Sequence, residues 1–479
     1  LTFNPLNLFI MKQRFFEPSL YHTRRNKLAQ ALQDGLIVFP SNEAAGMNYR
    51  DNTYPYRQDS SFLYFCGIDR PGLFLFIDSQ SGESILAGDE STMDDVVWTG
   101  PVESLHELSE HAGLDRVITL AEAKNWISNL IERNIRIHYL PVYRGDQAFR
   151  LAALLDTGAE AISGNASIPL IEAVVSLREI KEEPEIKELS DAINISRQMH
   201  ITMMKSACAG MTEAEVMARV RAECLKHDLD IAYPIILTVN GQTLHNHAYH
   251  NILEHGQLLL GDFGSESSMH YAGDITRTIP VSRHFTPLQK DIYSLVLQTL
   301  SSSTAAIREG IRYLDVHLQA ARIIAGGLKD LGFLNGNPDD LVAEGVHALF
   351  FPHGLGHALG LDVHDMENLG EKYTGYESGL ERSTQFGLRS LRMAKTLKAG
   401  MVLTVEPGIY FIPELVALWK KNHSYPGLVN YDRIERNLPF GGIRIEDNVL
   451  VTPDRAQVLG DPIPKEIADI EQYRELAYS

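Results

Sequence analysis

Short apolar runs alternate with helical periodicities through the first third of the chain. Gly35–Phe39, Leu73–Ile77 and Ile135–Leu140 are β-rich, whereas Arg24–Gln33 and Gln147–Leu155 carry a helical pattern. Together they predict a mixed α/β domain over residues 11–175. The stretch Leu177–Lys187 is charged, contains Pro184, and precedes a long helix with Ile186, Leu189 and Ile193 on one face. The domain boundary is placed there, with a second domain over 176–479.

Beyond it the punctuation is explicit. Thr212 with Glu215 makes a capping box, and Thr286, Pro287 and Gln289 make another, with proline at the first helical position where no N–H is needed. Gly210 and Gly310 are the expected helix stops. The runs Gln257–Phe263, Tyr271–Val281, Met401–Ile409 and Gly442–Val451 read as strands, so the second domain is α+β with an antiparallel sheet. Two strand pairs, each carrying two acids, hint at a duplicated half.

Composition narrows the class. The 479 residues carry a formal charge of -19, which disfavours a phosphate-neutralising nucleic-acid binder. Hydrophobic residues make up 44% and charged ones 22%, ordinary globular usage that excludes a disordered chain or a fibre. Cys66, Cys208 and Cys224 are too few for a disulfide framework or a cysteine zinc site and point to a reducing compartment, the cytoplasm. No apolar run reaches the ~18 to 20 residues that span a bilayer. Residues 1–10 precede the first methionine and read as a leader outside the fold; Leu8–Met11 lacks the flanks of a signal peptide.

Candidate chemistry sits on the strands of the second domain. Asp262 ends the apolar run Leu-Leu-Leu-Gly-Asp, and Asp274 lies in Tyr-Ala-Gly-Asp-Ile. A hairpin centred near residues 267–269 sets the two acids opposite each other on one face. Like charges so placed repel unless a cation lies between them or one is protonated. A single aspartate at a strand end is ordinarily just solvated, but Glu406 and Glu446 also emerge from apolar strands, making four in one setting. Arg444, two residues before Glu446, points to the same face.

The run Phe-Pro-His353-Gly-Leu-Gly-His357 continues to His364, three histidines in twelve residues. Gly354 and Gly356 disfavour a helix, so it reads as a loop or strand entry. Four carboxylates and one imidazole suit two divalent ions of the Mn, Fe, Co or Zn type. Paired ions acidify a water and clamp a reacting carbonyl or phosphoryl group, which is hydrolytic chemistry. Neither a Walker loop nor a Gly-x-Ser-x-Gly elbow competes with that reading.

These residues, in this order, resemble the pita-bread metallopeptidases, and within them the aminopeptidase P and prolidase branch. Tyr54–Gly67 and Trp98-Thr-Gly-Pro101 are similar to that branch's amino-terminal domain. The resemblance implies a pita-bread catalytic domain behind a smaller α/β domain, and five metal ligands at Asp262, Asp274, His357, Glu406 and Glu446. Asp274 and Glu446 would bridge two divalent ions, Mn2+ first with Zn2+ or Co2+ as alternatives. Asp262 would hold one ion, and His357 with Glu406 the other. The implied catalytic set is His364, Glu406 and His245, the last beside His247 and His250. His353, Arg392 and Arg444 are the implied substrate-side residues. The expected activity is Xaa-Pro aminopeptidase on proline-containing peptides. The alternatives are Xaa-Pro dipeptidase, suggested by Gly387–Arg392, a creatinase-like hydrolase that needs no metal, and a non-catalytic peptide-binding relative. Homodimers or homotetramers are implied, with no nucleic-acid or membrane partner.

Overall fold

The β-rich runs of the first third assemble into one mixed sheet. The computed structural model describes residues 13–32 and 34–478, and the chain divides into two compact units between Arg178 and Glu179. The expected leader, 1–10, lies outside the described residues. In the first unit, β1 (Leu36–Pro40), β2 (Phe74–Asp78), β3 (Ser84–Ala87), β4 (Arg116–Ile118) and β5 (Ile137–His138) stand in the order β4-β3-β2-β1-β5. β1 runs antiparallel to β2 and parallel to β5. β1 is buried at every position, which is why it reads as a continuous apolar run rather than an alternating one. The amino-terminal helix opens at Pro18 and runs to Leu32, burying Leu28 and Leu32.

The second unit opens with the helix Glu183–Ser206, on which Leu189 and Ile193 are fully buried. Both expected capping boxes are present, at Thr212–Glu215 and Thr286–Gln289. The expected glycine stops are displaced: the two helices end at Ser206 and Ala306, where Ala207 and Ile307 turn to extended backbone, and Gly210 and Gly310 sit in the following turns. That the two segments turn alike fits a duplicated half.

Three small antiparallel sheets complete the unit. They are β6 (Ile236–Thr238), β7 (Leu258–Asp262) and β8 (Thr276–Pro280); β9 (Val402–Val405), β12 (Asp447–Val451) and β13 (Ala456–Val458); and the pair β10 (Gly408–Tyr410) and β11 (Gly442–Arg444). Two of the strands expected to be continuous are therefore broken at their acids. After Val405 the N–H of Glu406 turns to Leu355 O, and Glu446 N–H turns to Thr276 O. Pro407 has no N–H to continue a ladder.

Alternation divides helix side from site side. Leu259, Leu403, Val405, Ile443 and Ile445 belong to the large apolar core. Their neighbours at odd spacing, Asp262, Glu406, Arg444 and Glu446, line a cavity on the other face. Among the described residues, no helix is long and apolar enough to cross a membrane.

Candidate active site

The hairpin carrying the two aspartates keeps one register throughout. Asp262 pairs with Thr276, and Glu266 bridges Ala272. The expected pairing of Asp262 with Asp274 is thus off by two residues. The turn centres on Met269, held by Ser267 N–H to Tyr271 O at 2.8 Å and by His270 at φ 65°. A shift of two preserves the face, so both aspartates still look into the cavity. At Gly264 a Cβ would lie 1.8 Å from Gly273 O, so the strands meet there without side chains. Asn448 Oδ1 accepts from Asp274 N–H at 3.1 Å and anchors that backbone.

His353, His357 and His364 lie in a loop, as expected. His357 is fastened to β9, its N–H donating to Thr404 Oγ1 at 3.0 Å while Thr404 N–H donates to His357 O at 3.0 Å. Asp365 is buried and ion-paired to Lys181 at 2.8 Å, fixing the backbone just after His364. One cavity of about 340 Å3 is lined by Asp262, Asp274, His357, Glu406 and Glu446, and also by His245, His353, His364, Arg392 and Arg444. His247 joins them at its wall; His250 is not among the lining residues.

Asp274, His357 and Glu446 each offer a ligand atom, all within 4.8 Å of one another. His357 Nε2 lies 3.3 Å from Asp274 Oδ2 and 3.7 Å from Glu406 Oε1. Asp262 is engaged by Arg444 Nη2. Burial pushes the Glu406 carboxyl up to about 7, the His357 and Arg444 charges only partly opposing it. Burial, reinforced by Asp274 and Glu406, raises Glu446 well above the usual carboxylate range. Burial likewise raises Asp262 against the pull of Arg444. Burial acts on Asp274 too, but the hydrogen bond and charge of His357 outweigh it and hold that carboxyl low. Burial alone would lower His357; Asp274 and Glu406 outweigh it and bring the imidazole up to about 9.

Three buried carboxylates and the half-buried Glu406 thus face one guanidinium and one imidazole, an excess of negative charge that suits divalent cations. Glu446 Oε1 is buried without a hydrogen-bond partner, an acceptor fit for a ligand bond. The donor set therefore fits a carboxylate-rich metal centre.

Several contributors escaped the sequence reading. The Tyr233 hydroxyl lies 2.6 Å from Asp262 Oδ1 and 2.5 Å from Asp274 Oδ1, so its single proton serves two acids. Thr276 Oγ1 donates to Glu446 Oε2 at 2.6 Å and accepts from Arg444 Nε at 3.1 Å. Tyr410 OH accepts from Arg444 Nη1 at 3.0 Å and is left to donate to His353 Nε2 at 2.8 Å. His353 Nδ1 donates to Gly354 O at 2.8 Å. Both nitrogens are used, and burial, with the Arg444 charge, lowers the imidazole to about 3. Tyr410 was within reach of the sequence, since Glu406, Gly408 and Tyr410 share a period of two.

The fold has known counterparts. The profile of metallopeptidase family M24 matches residues 187–453, and that of the aminopeptidase P N-terminal domain matches residues 21–138. The human Xaa-Pro dipeptidase is 31% identical, with 98% of this chain and 93% of that protein covered. A probable Xaa-Pro aminopeptidase of Uncinocarpus reesii is 30% identical over 95% of this chain and 94% of that protein. Zinc-substituted Escherichia coli aminopeptidase P, solved with product, superposes with a TM-score of 0.79 at 28% identity, covering 97% of this chain and 99% of that one. The chain is a hydrolase with a pita-bread catalytic domain, and it belongs to metallopeptidase family M24, in the aminopeptidase P and prolidase branch.

Proposed function

We propose that the chain is a Xaa-Pro aminopeptidase, a dinuclear metal-dependent exopeptidase that cuts between an amino-terminal residue and a following proline. The observation that carries this is the convergence of five potential ligands, five histidines counting His357 and two arginines on one cavity of about 340 Å3, in a chain whose relatives are named for that bond. In this reading Asp262, Asp274, His357, Glu406 and Glu446 would hold the two ions. Mn2+ is the first choice of metal, with Zn2+ or Co2+ as alternatives. Bound there, divalent ions supply Lewis-acid chemistry, polarising a carbonyl and acidifying a water toward neutral pH.

The remaining residues bind, orient and move protons. His364 Nδ1 donates to Glu367 Oε2 at 3.1 Å, which leaves the unprotonated Nε2 to take a proton from the attacking water and pass it to the departing proline nitrogen. That nitrogen belongs to a tertiary amide and has no N–H, so a site working through carbonyl oxygen and a proton donor suits it. Arg444 orients Asp262, His353 shapes the wall, and His245 with Glu406 completes the proposed catalytic set. Three free cysteines, Cys66 and Cys224 among them buried, are in keeping with a cytoplasmic setting. Family likeness favours a homodimer or homotetramer.

Arg392 at the cavity wall favours a second reading, Xaa-Pro dipeptidase, in which the guanidinium clamps a free proline carboxylate. Metal analysis beside kcat/KM for Ala-Pro-Ala, Ala-Pro and Ala-Ala-Ala tests both readings. Two ions per chain and a strong preference for proline are expected. Equal rates on Ala-Ala-Ala and Ala-Pro-Ala would remove proline selectivity and leave a general hydrolase.

A further inference from the structure

Glu367 has no counterpart among the residues singled out in the sequence, yet its carboxylate touches two of them. Its Oε2 accepts from His364 Nδ1 at 3.1 Å and from Arg392 Nη1. The contact is built into the backbone. Met366, between His364 and Glu367, takes a left-handed conformation at φ 63°, and Glu367 opens a short 3-10 turn whose N–H donates back to His364 O at 3.3 Å. Left-handed backbone at a residue with a long side chain costs about 1 kcal/mol or more and persists where surroundings impose it. On the other side, Tyr376 OH donates to Leu391 O at 2.7 Å and fixes the chain that presents Arg392.

The neighbouring acid does not substitute for Glu367. Glu371 Oε1 lies farther off, 3.4 Å from Arg392 Nη1. Glu367 is therefore the principal counter-ion of Arg392, and it is largely shielded, with 19% of its side chain exposed. A carboxylate that accepts Nδ1–H also fixes the tautomer of His364, leaving Nε2 toward the reacting atoms.

We propose that Glu367 is a positioning residue that also sets substrate length. It holds His364 by Nδ1 and occupies Arg392, so a dipeptide carboxylate reaches that guanidinium only by displacing Glu367. In Xaa-Pro-Yaa the proline carbonyl is a neutral amide, and the carboxylate lies roughly 3.5 Å further along the chain, so no exchange is required. The site then selects peptides longer than a dipeptide. This deepens the proline-peptidase reading and rests on it.

The test is steady-state kinetics of the metal-loaded wild type, Glu367→Gln, Arg392→Ala and the double variant on Ala-Pro and Ala-Pro-Ala. Glu367→Gln keeps the shape and removes the charge. Its kcat is expected to fall about tenfold or more on both peptides as His364 loses its orientation. Its KM for Ala-Pro should fall about threefold relative to that for Ala-Pro-Ala, the scale of one partly exposed ion pair. That shift in KM ratio should vanish in the Arg392→Ala background, which a loss of folding would not produce. Wild-type cleavage of proline peptides, combined with an unchanged kcat or an unchanged KM ratio in Glu367→Gln, overturns the proposal alone. Failure of the wild type to cleave either peptide overturns the proline-peptidase reading and the proposal with it.

Discussion

Asp262 lies opposite Thr276, not opposite Asp274, and the threonine hydroxyl ties the two sides of the carboxylate-lined face together. Thr276 Oγ1 donates to Glu446 Oε2 at 2.6 Å and accepts from Arg444 Nε at 3.1 Å, while Arg444 reaches on to Asp262. A single buried hydroxyl thus orients two potential ligands that arrive from different strands.

Thr276→Val keeps the volume and removes both hydrogen bonds. Glu446, whose Oε1 already has no partner, then loses the donor on Oε2 as well. Partners that orient ligands are typically worth about 10- to 100-fold in metal affinity. Competition with a chelator should show a loss of that size, with stability lowered by only ~1–3 kcal/mol. Unchanged metal affinity would mean that Thr276 merely fills space.

A second prediction concerns acid stability. Glu179 pairs with Lys395 at 2.5 Å and Lys398 at 2.6 Å, with its side chain 7% exposed. Burial pushes its carboxyl up, but the Lys395 charge and hydrogen bond outweigh that and hold it below the usual glutamate value. A carboxyl depressed in the folded state contributes stability above its unfolded value of 4.5 and loses it as pH falls through the folded value. Glu179→Gln also strands the buried Lys395, at a cost of roughly 3–5 kcal/mol near neutral pH. Thermal melts of both proteins should therefore differ most near neutral pH and converge as pH drops below about 4. A difference independent of pH would show that the charge is not what matters.

The legibility of this site follows from which interactions are local. Capping boxes at Thr212 and Thr286 depend on four consecutive residues and can be read directly. The acids are visible because charge emerging from an apolar strand is costly wherever it occurs. The hairpin register is not visible in the same way, since it depends on a turn held by Ser267 and a left-handed His270. The error was two residues, an even shift, so the face assignment survived although the partner did not. Tyr233, Thr276 and Glu367 stayed hidden because their partners come from strands and loops distant in sequence. Glu367 lies only three residues after His364, but the strained Met366 that turns it back has no sequence signature.

Tyr233 provides the sharpest separation between the metal-free and metal-loaded protein. Its hydroxyl lies 2.6 Å from Asp262 Oδ1 and 2.5 Å from Asp274 Oδ1, and burial followed by the charges of those two acids drives the phenol well above its ordinary value. Without metal, that proton is what stands between two buried carboxylates. Tyr233→Phe removes it and leaves acceptors unsatisfied, which should cost ~1–3 kcal/mol, or a drop in Tm of several degrees, about 2–4 °C per kcal/mol for a domain near this size. A divalent ion supplies the missing positive charge, so the metal-loaded variant should melt close to the metal-loaded wild type. The rise in Tm on adding Mn2+ should consequently be larger in Tyr233→Phe than in the wild type, since binding to the folded state alone raises stability by mass action. An equal drop with and without Mn2+ would show that the hydroxyl serves the loaded site as well, as an orienting group for the ligands.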